Sequence, residues 1–205
     1  MIDAVDTAGD QEERMISRGS TLLGTVLAVG AVVLLSGCGS STGGDAKPVS
    51  TSASADASVA ADAPTGYAPC NDVPQSVLDS EKLGMKIVAN NDASGGVAWR
   101  GCRWVRPNGY SVSIRTTNLT VDLIRSRNFP EATEFTINGR RAISTRQFDG
   151  PFIKEACTVD VEMKGGSLEF NLNNPPSNRD TGSMDSCVLA RELAEKVVPS
   201  LPATA

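Results

Sequence analysis

Residues 157–173 read CTVDVEMKGGSLEFNLN, and this stretch decides the fold. Cys157, Val159, Val161 and Met163 alternate with polar residues; after Lys164-Gly165-Gly166-Ser167 the alternation resumes with Leu168, Phe170 and Leu172. A period of two places each apolar set on one face of a strand, and the glycine-bearing turn returns the second strand antiparallel to the first. The chain therefore builds a sheet with one apolar face, which needs a cover.

The cover is expected downstream. Beyond Pro175-Pro176 a helix opens near Ser183 and is ended by Pro199. At 100° per residue, Cys187, Ala190, Leu193, Ala194, Val197 and Val198 fall on one side and Arg191, Glu192, Glu195 and Lys196 on the other. The polar side mixes both signs of charge, which suits packing on a sheet rather than lying on a membrane.

Upstream, EFTI (134–137) and RRAIST (140–145) flank Asn138-Gly139, a hairpin signal. VAWRGCRWV (97–105) and YSVSIR (110–115) flank Arg106-Pro107-Asn108-Gly109 in the same way. Leu119, Leu123 and Ile124 stand at helical spacing within residues 119–127. A short helix starts at Asp72-Val73-Pro74, with Val77 and Leu78 inward and Gly84 as its stop. The order α, β, β, α, β, β, β, β, α predicts a single α+β domain over residues 67–205, a largely antiparallel sheet of about six strands packed by two or three helices.

The first 66 residues are of another kind. Thr21 to Leu35 carry no charge, follow Arg14 and Arg18, and precede small residues. That is the layout of an export signal, and it is shorter than the roughly 20 apolar residues of a membrane-spanning helix. Leu35-Ser36-Gly37-Cys38 resembles the bacterial lipoprotein box, in which the cysteine sulfur receives a diacylglyceryl group and cleavage follows on its N-terminal side. Residues 1–37 are read as a signal peptide, with Met15 the expected start because residues 1–13 are acidic. Cys38 is the expected lipidation site. Residues 39–66 consist mostly of Ser, Ala, Gly, Thr, Asp and Pro, too little apolar surface to offset ordering entropy, so 38–66 reads as a lipidated, disordered tether. The expected location is the extracytoplasmic face of the cell membrane, held there by the lipid.

In an oxidising compartment the remaining Cys70, Cys102, Cys157 and Cys187 pair, with three connectivities open. Cys70–Cys102 and Cys157–Cys187 are favoured, each tying a helix to a strand. Their spacing contains no C-x-x-C, which argues against zinc and against thioredoxin-like redox chemistry. No metal and no cofactor are expected.

Pro69-Cys70, the Cys102-Arg103-Trp104 strand, Cys157-x-Val159-x-Val161 and a terminal helix with Cys187, Ala190, Leu193 and Ala194, behind a lipoprotein signal and a Ser/Ala-rich tether, resemble a family of short actinobacterial envelope lipoproteins catalogued only as a domain of unknown function, family 3558. Related envelope lipoproteins are similar to the PsbP-like α/β/α sandwich, which the resemblance implies for the fold. It implies no catalytic residues.

The chain contains no histidine, which removes Ser-His-Asp, Cys-His and histidine-metal chemistry. Asp160 and Glu162 share a strand face as i, i+2 acids on an expected solvent surface, a weak basis for a hydrolase. The loop Phe148-Asp149-Gly150-Pro151-Phe152 reads as pinned to the core in preference to a ligand mouth. The uneven feature is charge: residues 97–154 carry a net +6, whereas 38–96 and 155–205 carry −4 each. Arg100, Arg103, Arg106, Arg125, Arg127, Arg140 and Arg141 are candidate contacts for an anionic ligand or membrane surface, against the plainer alternative of arginines solvating a sheet. No nucleic-acid partner is expected, and nothing in the sequence sets the oligomeric state. The expected function is a non-enzymatic binding module for a lipid, glycan or envelope protein; the alternatives are an assembly accessory of an envelope complex and an unrecognised hydrolase.

Overall fold

The computed structural model describes residues 59–205; Cys38, the signal and most of the tether lie outside the described residues. An eight-stranded antiparallel sheet is built from β1 (Gly84–Val88), β2 (Asn91–Ala93), β3 (Val97–Val105), β4 (Ser111–Thr117), β5 (Thr133–Ile137), β6 (Arg140–Thr145), β7 (Ala156–Met163) and β8 (Gly166–Asn173). Its order is β1-β3-β4-β8-β7-β6-β5, and β2 continues the β1 edge by pairing the start of β3. The helices are α1 (Pro69–Asp72), α2 (Gln75–Ser80), α3 (Val121–Ser126) and α4 (Ser186–Val197).

The deciding hairpin forms as read, with Val159 opposite Phe170 and Val161 opposite Leu168. These four join Cys102, Trp104, Val112 and Ile114 on one face, where Leu189, Ala190, Leu193, Ala194 and Val197 of α4 close the core. Each large side chain sealed here contributes about 1.5–3 kcal/mol. α4 begins where Asp185 accepts the amide protons of Cys187 and Val188, so the first turn is capped by a carboxylate at the positive end of the helix. At the β5–β6 turn Asn138 and Gly139 both take positive φ, 49° and 79°, as a two-residue hairpin turn requires.

α3 covers the other face. Thr120 accepts the Leu123 amide proton as N-cap, and Val121 and Ile124 pack on Ile143 of β6. Leu123, expected inside, is only half-buried. This face is polar elsewhere, so the molecule has an apolar core on one side of its sheet and a buried polar layer on the other.

Two strands exceed the expected six. Gly84, expected to stop a helix, opens β1, whose five residues are all exposed and therefore carry no alternation. Residues 60–66, assigned to the tether by composition, pack on the domain: Ala63 is buried and Asn118 Nδ2 donates to the Ala60 carbonyl at 2.7 Å. The disulfides are Cys70–Cys102, from α1 to β3, and Cys157–Cys187, from β7 to α4, with Cα–Cα distances of 5.1 and 5.0 Å. The sheet, its helical cover and both disulfides are all made within residues 59–205, so this part contains its own core. No helix among the described residues is long and apolar enough to cross a membrane.

Candidate functional site

The candidate arginines do not form one basic face. Arg100 shares the core-side alternation of Cys102 and Trp104, whereas Arg103 points the opposite way. Most meet acids instead: Arg100 pairs with Asp62 and Asp92, Arg106 approaches Glu81, Arg125 pairs with Asp122 and Glu134, and Arg141 with Asp122, Glu134 and Glu162. Arg140 donates to the carbonyls of Glu162, Pro202 and Ala205. Arg115 meets Glu169, and buried Arg146 meets Asp185 and Glu131. Many of these acids come from the negative flanks, so the segmental charge imbalance is folded into cross-segment ion pairs. Arg103 bonds only the Ser111 hydroxyl, and Arg127 has no ion pair and no side-chain hydrogen bond among the described residues.

Opposite α4, the sheet holds a buried acid pair. Asp160 of β7 and Glu169 of β8 are direct cross-strand partners, 2% and 5% exposed. Arg115 Nε donates to Glu169 Oε1 at 3.0 Å, and Trp99 Nε1 donates to Oε2 at 2.8 Å. The guanidinium also lies 5.5 Å from the Trp99 ring centroid. Burial, and then the Glu169 charge, push the Asp160 carboxyl well above the usual carboxylate range, against the opposing effect of the Ser167 hydrogen bond and then of Arg115. Ser167 Oγ stands 2.9 Å from Asp160 Oδ1 and 2.8 Å from the Leu119 carbonyl. The hydroxyl has one proton to give, and both acceptors, the Asp160 carboxyl and the Leu119 carbonyl, lie within its reach. The relay Asp160 to Ser167 to Leu119 straps the entry of α3 to the sheet.

Trp99, fixed by Glu169, forms a wall of a cleft of about 300 Å³ between the β2–β3 edge and α3. Val97, Leu119, Ile124 and Phe129 add apolar surface, Ala93 and Ser94 also line it, and Arg127 is its one charged residue among the described residues. A pocket of this kind, apolar with one placed charge, suits a small ligand. Asp160 and Glu169 are almost wholly buried, and through Ser167 and Trp99 the acid pair positions the entry of α3 and the cleft wall.

The sequence placed Arg127 among the candidates but not Trp99, Arg115, Glu169 or Ser167. The signal for them was present in the alternation: Trp99, Arg115 and Glu169 all sit on the face opposite the apolar set. Asp160, read as solvent-facing beside Glu162, is instead buried against α3's entry. Phe148 and Phe152 are 47% and 62% exposed, so that loop is not pinned to the core. Asn118 is buried, its side-chain amide engaged with Ala98, Gly96 and Ala60. Among the described residues no three Cys, Asp or Glu side chains converge as metal ligands.

Neither a curated protein nor a solved structure matches the chain. A family model described as protein of unknown function (DUF3558) matches residues 33–200, well over half of the sequence. The same span contains the four paired cysteines, the sheet and nearly all of α4's cover, and the chain accordingly belongs to the DUF3558 family.

Proposed function

We propose that this chain is a lipid-anchored, extracytoplasmic protein of an actinobacterial cell envelope and acts as a non-enzymatic binding module. Its anchor is a diacylglyceryl group on Cys38, with residues 1–37 removed. The lipoprotein box supports this, and so do the two disulfides, since such bonds persist in oxidising compartments. The observation that carries the binding role is the cleft beside α3, preformed and walled by a tryptophan already held in place. The test is organic extraction of the protein purified from its host's envelope. A small molecule should be released in near-stoichiometric amount, and the cleft-filling variant Ala93→Phe should release none. Equal yields from both proteins contradict the reading.

A second reading, an assembly accessory for an envelope complex, is favoured by the β1 edge. Met85, Ile87 and Val88 are 72%, 51% and 68% exposed on an edge strand, where an added strand from a partner finds unpaired backbone. Crosslinking in cells should then capture one envelope protein, and Val88→Lys should abolish the crosslink. A crosslink indifferent to that change contradicts this reading.

A further inference from the structure

We propose that the cleft between the β2–β3 edge and α3 binds a small amphipathic anion, its apolar body against Trp99 and Phe129 and its acidic head on Arg127. This inference rests on the binding-module reading and names its ligand class.

Charge selects the head. No Asp or Glu lines the cleft, so Arg127 is not answered by its surroundings. The acids nearest in the chain are engaged elsewhere: Glu131 is held by Arg146, and Asp122 and Glu134 by Arg125 and Arg141. The comparison within the molecule is direct. A second apolar hollow of about 300 Å³, beneath residues 62–65, also has an arginine, Arg100, but Asp62 and Asp92 already neutralise it. In the α3 cleft, by contrast, an apolar lining meets an arginine that has no ion pair and no side-chain hydrogen bond among the described residues. A guanidinium favours an oxyanion that accepts two parallel hydrogen bonds, which points to a carboxylate, sulfonate or phosphate head.

The lining selects the body. Val97, Leu119, Ile124 and Phe129 offer no hydrogen-bonding side chain, the indole N–H of Trp99 is already given to Glu169, and apart from Arg127 only the Ser94 hydroxyl is left to bond a ligand. A sugar or nucleobase would lose its hydrogen bonds there, whereas an aliphatic or aromatic body loses nothing. A volume of about 300 Å³ is at the low end for small-molecule pockets, so the body is short. Glu169 and Arg115 fix the indole before any ligand arrives, which reduces the ordering cost of binding.

The test uses the oxidised domain, residues 59–205, with sodium decanoate and 1-decanol as matched probes below their aggregation limits. Intrinsic tryptophan emission reports on Trp99, since Trp104 is buried in the core. Decanoate is expected to bind saturably and more tightly than decanol. Arg127→Gln should weaken decanoate by roughly tenfold and leave decanol unchanged, the loss expected for a hydrogen-bonded charge contact. Ala93→Phe should remove both. Equal affinity for the two probes, or no effect of Arg127→Gln, overturns the anionic ligand while the extraction experiment above still decides the binding role. Saturable binding that survives Ala93→Phe overturns the placement in this cleft.

Discussion

The Ser167 hydroxyl stands 2.9 Å from Asp160 Oδ1 and 2.8 Å from the Leu119 carbonyl, so one side chain bridges the buried acid and the entry of α3. Glu169 on β8 and Arg115 on β4 are the charged groups that face the acid, and α3 closes it from above through Leu119. An unfolded Asp ionises near about 3.9, whereas folded Asp160 keeps its proton to a higher pH. Between those two values the native state holds the extra proton, so this group's contribution to stability falls as pH rises from about 4 and levels off once folded Asp160 ionises. Asp160→Asn keeps a donor and removes the titration. Denaturant unfolding across pH 4–9 should show the variant losing this downward slope relative to the native chain; parallel curves contradict the assignment.

Ser167→Ala leaves the Leu119 carbonyl and Asp160 without their shared partner in a buried layer. The expected cost is about 1–3 kcal/mol. Because the strap holds only α3's entry, amide exchange of Ile124 should accelerate more than that of Leu193 in α4. Uniform acceleration across both helices contradicts a local strap.

Glu169→Ala removes the carboxylate that holds Arg115 and Trp99 together. Arg115, half-buried, then loses its counter-charge, at a cost of about 1–3 kcal/mol. Trp99 loses its anchor, and its emission should shift to longer wavelength as the indole becomes wetter. An unchanged spectrum contradicts the view that Glu169 presets the cleft wall.

Each disulfide closes a separation of about 30 residues, 32 for Cys70–Cys102 and 30 for Cys157–Cys187. In the chain-entropy description each contributes about 3–4 kcal/mol. Replacing either pair by serines should lower the guanidinium midpoint accordingly, and a non-reducing digest of the native chain should give these two linked peptides and no others.

The apolar half of this molecule was legible in the sequence because its residues obey simple periods. Val159, Val161, Leu168 and Phe170 alternate; Leu193, Ala194 and Val197 recur at helical spacing; both patterns led to the same core. Of the three open cysteine connectivities the favoured one, tying a helix to a strand in each pair, is the one the structure makes. β1 was not legible, since an edge strand exposed on both faces has no burial pattern to read. The polar layer was hidden for a different reason. Asp160, Ser167 and Glu169 look like ordinary outward residues in one dimension, and only the register of β7 against β8 and the docking of α3 bring them together and exclude water. The arginine-rich segment was visible as charge, but which arginine keeps a free guanidinium depends on acids folded in from distant flanks. Arg127 stands out only after Asp122, Glu134 and Glu169 have been assigned to others.

Under the proposed function the mature protein is exported, lipidated at position 38 and oxidised at its other four cysteines. Intact and peptide mass spectrometry of the protein from its native host tests this directly. The predicted species begins at position 38, carries long-chain acyl mass on that residue, and links 70 to 102 and 157 to 187. A full-length polypeptide that keeps its first 37 residues, bears no acyl mass and holds four free thiols would contradict it.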